Sequence, residues 1–369
     1  MTRSPEPRRI TVPLGDRSYP ILIGTGLLSE SRLVDEQLAG RPVLVITDTN
    51  VAPHYLDPVM SGLARNAASL EAMILEPGED RKTAESWLEV LDRLVAIRAT
   101  RDALIIALGG GVIGDLCGFA AAAYMRGIDF IQVPTTLLAQ VDASVGGKTA
   151  INHPEGKNLI GAFHQPVAVV IDVTTLQTLP EREYAAGLAE TVKYGAIRDS
   201  GFFAWLESHA AELADREPTA LTEAIERSCR IKAEVVANDE TEQGQRAHLN
   251  FGHTFGHALE TATGYRRFLH GEAVAVGMVL AARLSAKLRL TDDEAAGRLE
   301  TLLARFGLPV RIPADLQAER LYDLMTLDKK NRAGEIRLIL LEQLGKSVIR
   351  AGVGRSELLD ILAAAETAE

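Results

Sequence analysis

The first half of the sequence alternates short apolar runs with helical stretches. The runs are rich in β-branched residues and lie at 10–13, 20–23, 43–46, 103–108, 130–133 and 167–171. Most are apolar at consecutive positions, which is typical of strands buried on both faces of a parallel sheet. Because helical patterns such as 84–97 separate them, we predict a doubly wound, Rossmann-like α/β domain.

The second half has a different texture, with long stretches rich in Ala, Leu, Glu and Arg. They lie at 183–197, 220–238, 252–263, 271–288 and 292–306. A chain of 369 residues exceeds the size at which one core stops growing. We therefore predict two domains with a boundary at Pro180, namely an α/β domain at 1–179 and an all-α domain at 180–369.

Composition excludes several classes of protein. The formal net charge of −11 argues against nonspecific binding of nucleic acid or anionic membrane, since both favour an excess of Lys and Arg. Two cysteines cannot build a disulfide framework, which fits a reducing compartment. The polar N-terminus has no apolar segment behind it, and no apolar run reaches bilayer length. We expect a soluble cytoplasmic protein.

Histidines and carboxylates are concentrated in the second half. His253, His257 and His270 lie close together, Glu272 follows, and Glu190 lies about sixty positions upstream. Neutral imidazole and carboxylate suit zinc, and a catalytic zinc typically keeps three protein ligands and one open position. The four-residue spacing of His253 and His257 also fits half-buried histidines that bond to backbone carbonyls, so spacing alone leaves both interpretations open.

A glycine-rich turn follows the run at 103–108. Gly109, Gly111 and Gly114 satisfy the G-x-G-x-x-G pattern in a strand-turn-helix setting, where backbone N–H groups and a helix N-terminus favour a pyrophosphate. The pattern departs from the usual dinucleotide fingerprint, because it follows a later strand and the candidate ribose-binding acid, Asp48, lies upstream. Thr135 and Thr136 close the next strand. NAD is the leading candidate ligand, and a tight turn without a ligand is the alternative.

Basic residues beside glycines and helix ends form a third group in this acidic chain. They suggest a compact polyanionic substrate bearing phosphate or carboxylate, although a single lysine is more often a solvated surface residue. Gly146-Gly-Lys-Thr149 is not a P-loop, because the spaced first glycine is absent. The basic residues are Arg126, Lys148, Lys157, Lys193, Lys232, Arg246 and Lys346, and Asn158 directly follows Lys157.

Taken together, these motifs resemble the 3-dehydroquinate synthase family. The resemblance runs in order from about Ile10 to Gly352. Besides the glycine turn, it rests on Tyr124-Met-Arg-Gly127, Gln132-Val-Pro-Thr-Thr-Leu-Leu-Ala-Gln-Val-Asp142, Gly146-Gly-Lys-Thr149, Gly156-Lys-Asn158, Gly161-Ala-Phe-His-Gln-Pro166, Glu190-Thr-Val-Lys-Tyr-Gly195, Leu249-Asn-Phe-Gly-His-Thr-Phe-Gly-His257 and His270-Gly-Glu-Ala-Val274. Ala143 and Ala150 depart from the family pattern, in which serine and glycine are frequent at these positions. Neither side chain carries a reacting group, so the departures bear only on the local backbone conformation.

The resemblance implies a set of site residues. Glu190, His253 and His270 would bind Zn²⁺ or Co²⁺, with His257 facing the substrate. The NAD site would be lined by Asp48, Glu79, Lys82, Gly111, Gly114, Asp115, Thr135, Thr136, Asp142, Lys148 and Lys157. The sugar-acid phosphate would be bound by Arg126, Lys148, Asn158, Lys193, Lys232, Arg246, Asn250, His257 and Lys346. In the family, the arginine at the position of Arg126 reaches the substrate from a partner subunit. The resemblance therefore implies a homodimer.

The implied reaction converts 3-deoxy-D-arabino-heptulosonate 7-phosphate to 3-dehydroquinate and phosphate, a step of the shikimate pathway to aromatic amino acids. One alternative is a related sugar-phosphate cyclase that acts on sedoheptulose 7-phosphate or glucose 6-phosphate. Another is a metal-dependent NAD polyol dehydrogenase. An uncharged polyol, however, has no anionic group for the basic residues to bind. A non-catalytic nucleotide-binding module accounts for the fewest of these features.

Overall fold

The computed structural model describes residues 6–29, 34–38, 40–242, 244–327 and 336–364. The chain separates into two compact units. The first comprises Met1–Leu179 and Leu221–Thr241, and the second comprises Pro180–Ala220 and Glu242–Glu369. The predicted halves are contiguous, whereas in the structure the segment 221–241 belongs to the first unit.

A sheet of seven strands organises the first unit. Its strands are β1 (Arg8–Val12), β2 (Tyr19–Gly24), β3 (Pro42–Asp48), β4 (Ser69–Leu75), β5 (Leu104–Gly109), β6 (Asp129–Pro134) and β9 (Ala168–Asp172). They lie in the order β1-β2-β9-β6-β5-β3-β4. Only the β1–β2 pair is antiparallel, and every other pair in this sheet is parallel. The predicted parallel sheet is confirmed.

Apolar cores lie on both faces of this sheet. The helices of this region are α1 (Asp35–Leu38), α2 (Ala52–Leu63), α3 (Ala84–Ala96) and α4 (Gly111–Ala123). On β5, Ile105 belongs to a core that includes residues of α3 and α4, whereas Ile106 belongs to a core that includes residues of α2. This alternation follows from the two-residue side-chain period of a strand. It confirms the prediction of a sheet covered on both sides.

The strand order reverses between β3 and β5. From β3 the chain proceeds to β4 on one side and then to β5 on the other side. In open α/β sheets such a switch point creates a crevice at the carboxyl ends of the two strands, where ligands bind. Here those ends are Asp48 and Gly109.

A two-stranded hairpin interrupts the doubly wound pattern. Strands β7 (Lys148–His153) and β8 (Gly156–Phe163) pair antiparallel, with Lys148 opposite Phe163. Sequence motifs indicated binding roles for residues of this segment but did not predict the hairpin. It places Lys148, Lys157 and Asn158 on one short sheet.

The second unit is mostly helical. Its helices are α5 (Glu181–Arg198), α6 (Ser200–Ser208), α7 (Ala210–Ala214), α9 (His253–Ala262), α10 (His270–Lys287), α11 (Asp293–Arg305), α12 (Ala318–Thr326) and α13 (Arg355–Ala364). The unit is not purely α, because β10 (Leu338–Gln343) and β11 (Lys346–Arg350) form an antiparallel hairpin. Within the described ranges, no helix combines the length and the apolar character needed to cross a membrane.

Helix α8 (Pro218–Asn238) explains why the segment 221–241 groups with the sheet unit. The buried Cys229 thiol lies 3.2 Å from the carbonyl of Gln140, and Lys232 forms an ion pair of 2.5 Å with Asp142. Near its start the helix presents Glu223 to Arg8 of β1 at 2.5 Å. Helical periodicity predicts this helix but not the unit against which it packs.

Candidate active site

Three side chains converge in the second unit. Glu190 lies on α5, His253 is the first residue of α9, and His270 is the first residue of α10. The Oε1 atom of Glu190 lies 3.7 Å from Nε2 of His253 and 4.0 Å from Nε2 of His270. One ligand atom from each residue lies within 4.8 Å of the other two.

These separations fit a small divalent cation. Zinc bonds of about 2.0–2.1 Å in tetrahedral geometry place ligand atoms about 3.3–3.4 Å apart, slightly closer than the distances found here. The Nδ1 atom of His253 lies 3.1 Å from the carbonyl of Phe251, and Nδ1 of His270 lies 3.2 Å from Oε2 of Glu260. Such contacts orient ligating histidines in metal sites. Both rings therefore direct Nε2 towards Glu190.

The charge at this point is buried. Glu190 is 0 % exposed, and Oε2 forms an ion pair with the ammonium of Lys193, whose side chain is 2 % exposed. Within the described part of the chain, neither Glu190 oxygen accepts a hydrogen bond of normal geometry. A buried carboxylate requires compensation by opposite charge or hydrogen bonds. Its Oε1 atom, between two imidazoles, is thus suited to a cation.

Glycines set the spacing of the helices that carry these ligands. A Cβ atom on Gly271 of α10 would lie 1.9 Å from the carbonyl oxygen of Ala186 on α5. A Cβ on Gly277 would lie 2.0 Å from the carbonyl oxygen of Gly252, directly before α9. Because backbone atoms cannot yield as flexible side chains can, only glycine permits these approaches. Close helix contact brings Glu190 and His270 together.

His257 lies beside the three convergent residues. Its ring centroid is 5.6 Å from that of His253 and 6.1 Å from that of His270. A second group that could hold a metal comprises His257, Glu260 and His270. The two groups share His270, whose Nδ1 faces Glu260 and whose Nε2 faces Glu190. The geometry therefore supports Glu190, rather than His257, as the partner of His253.

Glu272 is a structural residue in this arrangement. In the sequence Glu272 lies beside the histidines as a candidate carboxylate of the metal site, but both of its oxygens bond to Arg182, at 2.6 and 2.7 Å. It also accepts a hydrogen bond of 2.7 Å from the backbone N–H of Leu269. This contact caps the N-terminus of α10, just before His270.

The glycine turn of the first unit joins β5 directly to α4. Gly110 is the residue before the helix, and the N–H of Thr135 bonds to the carbonyl of Gly109 at 3.0 Å. Gly114 lies within α4, where its carbonyl accepts a 3.5 Å bond from the side chain of Gln132. The strand-turn-helix setting predicted for a pyrophosphate is present.

Asp48 ends β3 at the switch point. It is 8 % exposed, and its Oδ1 atom accepts hydrogen bonds from the backbone N–H groups of Asn50 and Val51 at 2.9 and 3.1 Å. One oxygen therefore shapes the turn into α2, which is an ordinary role for aspartate.

A polar cluster connects α4 with the β7–β8 hairpin. Buried Lys82 forms an ion pair with Asp115 and donates a 2.5 Å bond to Oδ1 of Asn158. Glu79 lies 3.5 Å from Nζ of Lys157. Burial raises the pKa of Asp115 above its ordinary value, while the neighbouring Lys82 acts in the opposite direction. The structure thus brings together five residues predicted for cofactor or substrate binding.

The remaining predicted residues occupy varied environments. Asp142 pairs with Lys232, as described above, so a predicted NAD residue contacts a predicted substrate residue. Thr135 is buried, and Thr136 accepts a 3.2 Å bond from the N–H of Ala139. In the first unit Arg126 and Lys148 are exposed.

In the second unit, Arg246 is buried and Asn250 donates a 3.1 Å bond to Glu242. Lys346 has a largely exposed side chain that lies 2.7 Å from Glu342. Neither the Asn250–Glu242 hydrogen bond nor the Lys346–Glu342 ion pair involves Glu190, His253 or His270.

Some residues that contact the predicted site residues were not predicted from the sequence. Glu260 holds the ring of His270, and Asn152 bonds to Glu79 at 2.9 Å and accepts from the N–H of Asn158 at 3.0 Å. Glu260 lies three positions after His257 on the same helix, which offered a signal for a carboxylate near the cluster. Asn152 carried no such signal, because Asn158 meets it across the hairpin and Glu79 lies 73 positions upstream.

Comparison with known proteins places these features in a family. The family model described as 3-dehydroquinate synthase N-terminal matches residues 72–186, and the model described as 3-dehydroquinate synthase C-terminal matches residues 187–331. The 3-dehydroquinate synthase of Methylococcus capsulatus is 55% identical over 346 residues, which cover 94% of this chain and 96% of that protein.

Solved structures of sugar-phosphate cyclases are also similar. The 2-epi-5-epi-valiolone synthase of Streptomyces hygroscopicus, with NAD⁺ and Zn²⁺ bound, superposes with a TM-score of 0.87 at 29% identity and covers 95% of this chain and 98% of its own. A 2-deoxy-scyllo-inosose synthase complexed with carbaglucose-6-phosphate, NAD⁺ and Co²⁺ gives 0.87 at 25% identity, covering 97% and 100%. From the two family models and the high identity over nearly its whole length, the chain belongs to the 3-dehydroquinate synthase family.

Proposed function

We propose that this protein is an NAD- and metal-dependent lyase that converts 3-deoxy-D-arabino-heptulosonate 7-phosphate to 3-dehydroquinate and phosphate. The observation that carries the proposal is the convergence of Glu190, His253 and His270 in a chain of this family. A carboxylate and two imidazoles around one point provide a three-ligand site with an open position, as catalytic zinc requires.

The metal ligands proposed are Glu190, His253 and His270, with Zn²⁺ or Co²⁺ as the ion. The fit is supported by the distances of 3.7 and 4.0 Å and by the buried Oε1 atom. A cation held there would supply Lewis-acid polarisation of substrate oxygens, and bound NAD would supply the transient oxidation and its reversal. Glu260 and the Phe251 carbonyl would hold the two imidazole rings in place.

NAD binding is proposed for the first unit. The glycine turn at the N-terminus of α4 suits the pyrophosphate, and Asp48 at the switch point suits a ribose through its second oxygen. The polar cluster around Lys82 and Asp115 would shape the floor of this site. The complete proposed set is Asp48, Glu79, Lys82, Gly111, Gly114, Asp115, Thr135, Thr136, Asp142, Lys148 and Lys157.

Substrate binding is proposed for the basic residues and their neighbours. In the first unit these are Arg126, Lys148, Asn158 and Lys232, and in the second unit Lys193, Arg246, Asn250, His257 and Lys346. A phosphate and a carboxylate on one small molecule require several cations, because each anion gains most from charge-assisted hydrogen bonds. The carboxylate of the heptulosonate distinguishes it from sedoheptulose and glucose phosphates.

The basic residues would also promote the elimination. Oxidation at C5 makes the neighbouring C6 proton acidic, so that the phosphate on C7 can depart. Lys148 and Arg126 would stabilise the departing dianion and hold it where one of its own oxygens can accept that proton. No dedicated protein base is required for this step. Re-reduction at C5, ring opening and an intramolecular aldol reaction complete the carbocycle.

A homodimer is proposed from the family resemblance, in which Arg126 would contact substrate in a partner subunit, and exposed apolar residues support it. The adjacent Met125 is 43 % exposed, and on strand β8 Leu159, Ile160 and Phe163 are 45, 42 and 49 % exposed. Met125 and Arg126 also adopt positive φ values of 47° and 69°, which are unusual for residues other than glycine. Exposed apolar side chains such as these are typical of an interface with a second copy.

The decisive assay measures phosphate release from the heptulosonate phosphate with catalytic amounts of NAD. We expect turnover that a chelator abolishes and Zn²⁺ restores, with no net accumulation of NADH. Glu190→Gln and His270→Ala should each lose metal and activity. Lys346→Ala should keep its metal and bind the substrate more weakly. Full zinc content and undiminished activity in both ligand variants would reject the proposed site.

The same assay separates the rival activities. Sedoheptulose 7-phosphate and glucose 6-phosphate are offered in parallel, and the proposal expects phosphate release chiefly from the heptulosonate. Stoichiometric NADH formation with an uncharged polyol would instead indicate a dehydrogenase. Lys148 belongs to both proposed sets, and we expect it to act chiefly on the substrate. Lys148→Ala should raise the Kd for the phosphate substrate far more than the Kd for NAD, and equal losses by calorimetry would contradict that chief role.

A further inference from the structure

The two oxygens of Glu190 face different groups: one faces the proposed metal site, and the other faces the ammonium of Lys193. Oε1 faces Nε2 of His253 and Nε2 of His270, at 3.7 and 4.0 Å. Oε2 contacts the ammonium of Lys193, one turn further along α5. Both members of the pair are removed from solvent, with side-chain exposures of 0 and 2 %. A metal bound at Oε1 would therefore lie close to a fixed positive charge that water screens weakly.

We propose that Lys193 is a positioning residue that weakens the affinity of this site for its metal. It does so by neutralising Glu190 in the metal-free protein and by repelling the incoming cation. The inference rests on the metal site proposed above and adds a role for Lys193 besides contact with substrate.

Lys193 and a bound metal ion would compete for one anion, the carboxylate of Glu190. A buried carboxylate that lacks a counter-charge is strongly unfavourable. In the metal-free protein Lys193 supplies that charge, so metal binding gains less than it would at an uncompensated carboxylate. Once metal is bound, the metal ion and the ammonium of Lys193 share the carboxylate. They also repel each other, and little water is present to screen that repulsion. Lys193 thus stabilises the metal-free state more than the metal-bound state.

The pairing also bears on how Glu190 can coordinate. With Oε2 held by Lys193, only Oε1 faces the imidazoles, so the carboxylate is arranged to bind through one oxygen. A carboxylate that shares its charge with an ammonium donates less electron density to a metal. The bound ion would remain more electrophilic, which suits polarisation of a substrate oxygen.

Glu260 supplies an internal comparison of opposite sign. It is 3 % exposed, and its Oε2 lies 3.2 Å from Nδ1 of His270. A carboxylate in this position orients the imidazole and raises its basicity, which strengthens metal binding. Removing the negative charge of Glu260 and removing the positive charge of Lys193 should therefore change the affinity in opposite directions. General damage to the fold would weaken metal binding in both variants.

The test uses the full-length chain after removal of metal with a chelator. Competition with a chromophoric chelator measures the Zn²⁺ dissociation constant of the wild type, Lys193→Met, Lys193→Gln and Glu260→Gln at one pH and ionic strength. We expect about tenfold or greater tightening in both Lys193 variants, because a full charge at about 5 Å in a buried site is worth at least that much. We expect about 10- to 100-fold weakening in Glu260→Gln.

Two measurements keep the test decisive. Circular dichroism reports folding, and if Lys193→Met does not fold, Lys193→Gln, which keeps a polar group near Oε2, carries the comparison. The visible absorption of bound Co²⁺ reports whether the ligand set is retained. Unchanged or weaker Zn²⁺ affinity in folded Lys193 variants would overturn the inference while leaving the metal site intact. Unchanged Zn²⁺ binding in Glu190→Gln would instead overturn the site itself.

Discussion

Replacing Gly271 with alanine tests how the fold builds the metal centre. The new Cβ would lie 1.9 Å from the carbonyl oxygen of Ala186 and 2.6 Å from its carbonyl carbon, both backbone atoms of α5. Contacts of real Cβ atoms start near 3.0 Å, so α10 must move about 1 Å away from α5. Glu190 lies one turn after Ala186, and His270 directly precedes Gly271. The shift therefore separates two proposed ligands.

The magnitudes can be worked from these distances. The Oε1–Nε2 separation of Glu190 and His270, 4.0 Å in the structure, would approach about 5 Å, whereas zinc geometry requires about 3.3 Å. We expect Zn²⁺ affinity to fall by about 100-fold or more, since metal–ligand distances tolerate only about 0.2 Å. Overpacking costs about 1–3 kcal/mol of folding stability. The helix propensity of alanine offsets up to about 1 kcal/mol of that cost.

Gly297 provides the matched control. It lies inside α11, and no atom lies within 4 Å of the position that its Cβ would occupy. Gly297→Ala should therefore raise stability by up to about 1 kcal/mol and leave Zn²⁺ affinity unchanged. Chelator competition measures affinity, and urea denaturation measures the free energy of unfolding. A Gly271→Ala variant with wild-type metal affinity and stability would refute the reasoning about helix contact.

Other consequences of the structure can be measured directly. Lys82→Met leaves the carboxylate of Asp115 without its ion pair, so urea denaturation should show a loss of about 3–5 kcal/mol; a loss below about 1 kcal/mol would contradict the burial of this pair. Burial raises the pKa of Cys229 to about 12, and Cys117 is buried as well. Thiol reagents should therefore label neither cysteine in the native protein and both after unfolding. Fast labelling of the native protein would contradict this expectation. The pKa of Glu223 is lowered, chiefly by its hydrogen bond with Arg8. Its contribution to stability is present above the ordinary carboxyl pKa of about 4.3 and is lost as the pH falls below it. Arg8→Ala should therefore move acid unfolding to higher pH at a cost below about 1 kcal/mol, because the pair is partly exposed, and an unchanged acid midpoint would argue against the pairing.

Local pattern predicted six strands of the main sheet and the longest helices, but it missed β4 and both hairpins. The run 103–108 is apolar at consecutive positions, which favours a doubly buried strand, and β5 is buried along its whole length. The stretch 271–288 has helical periodicity, and α10 covers nearly the same residues. These features depend on neighbours a few positions apart, so the sequence by itself contains the information. The order of motifs also indicated the family and a metal site containing Glu190, His253 and His270.

Tertiary contacts decided what local pattern could not. Spacing alone pairs His253 with His257 on one helical face, whereas the structure sets His253 against Glu190 and His270 from two other helices. The same is true of α8, whose periodicity predicts a helix while Cys229 and Lys232 attach it to the sheet unit. Sequence separation along one helix fixes only which side chains share a face. Which faces meet depends on close packing of distant backbones, here permitted by Gly271, and that information exists only in the folded chain.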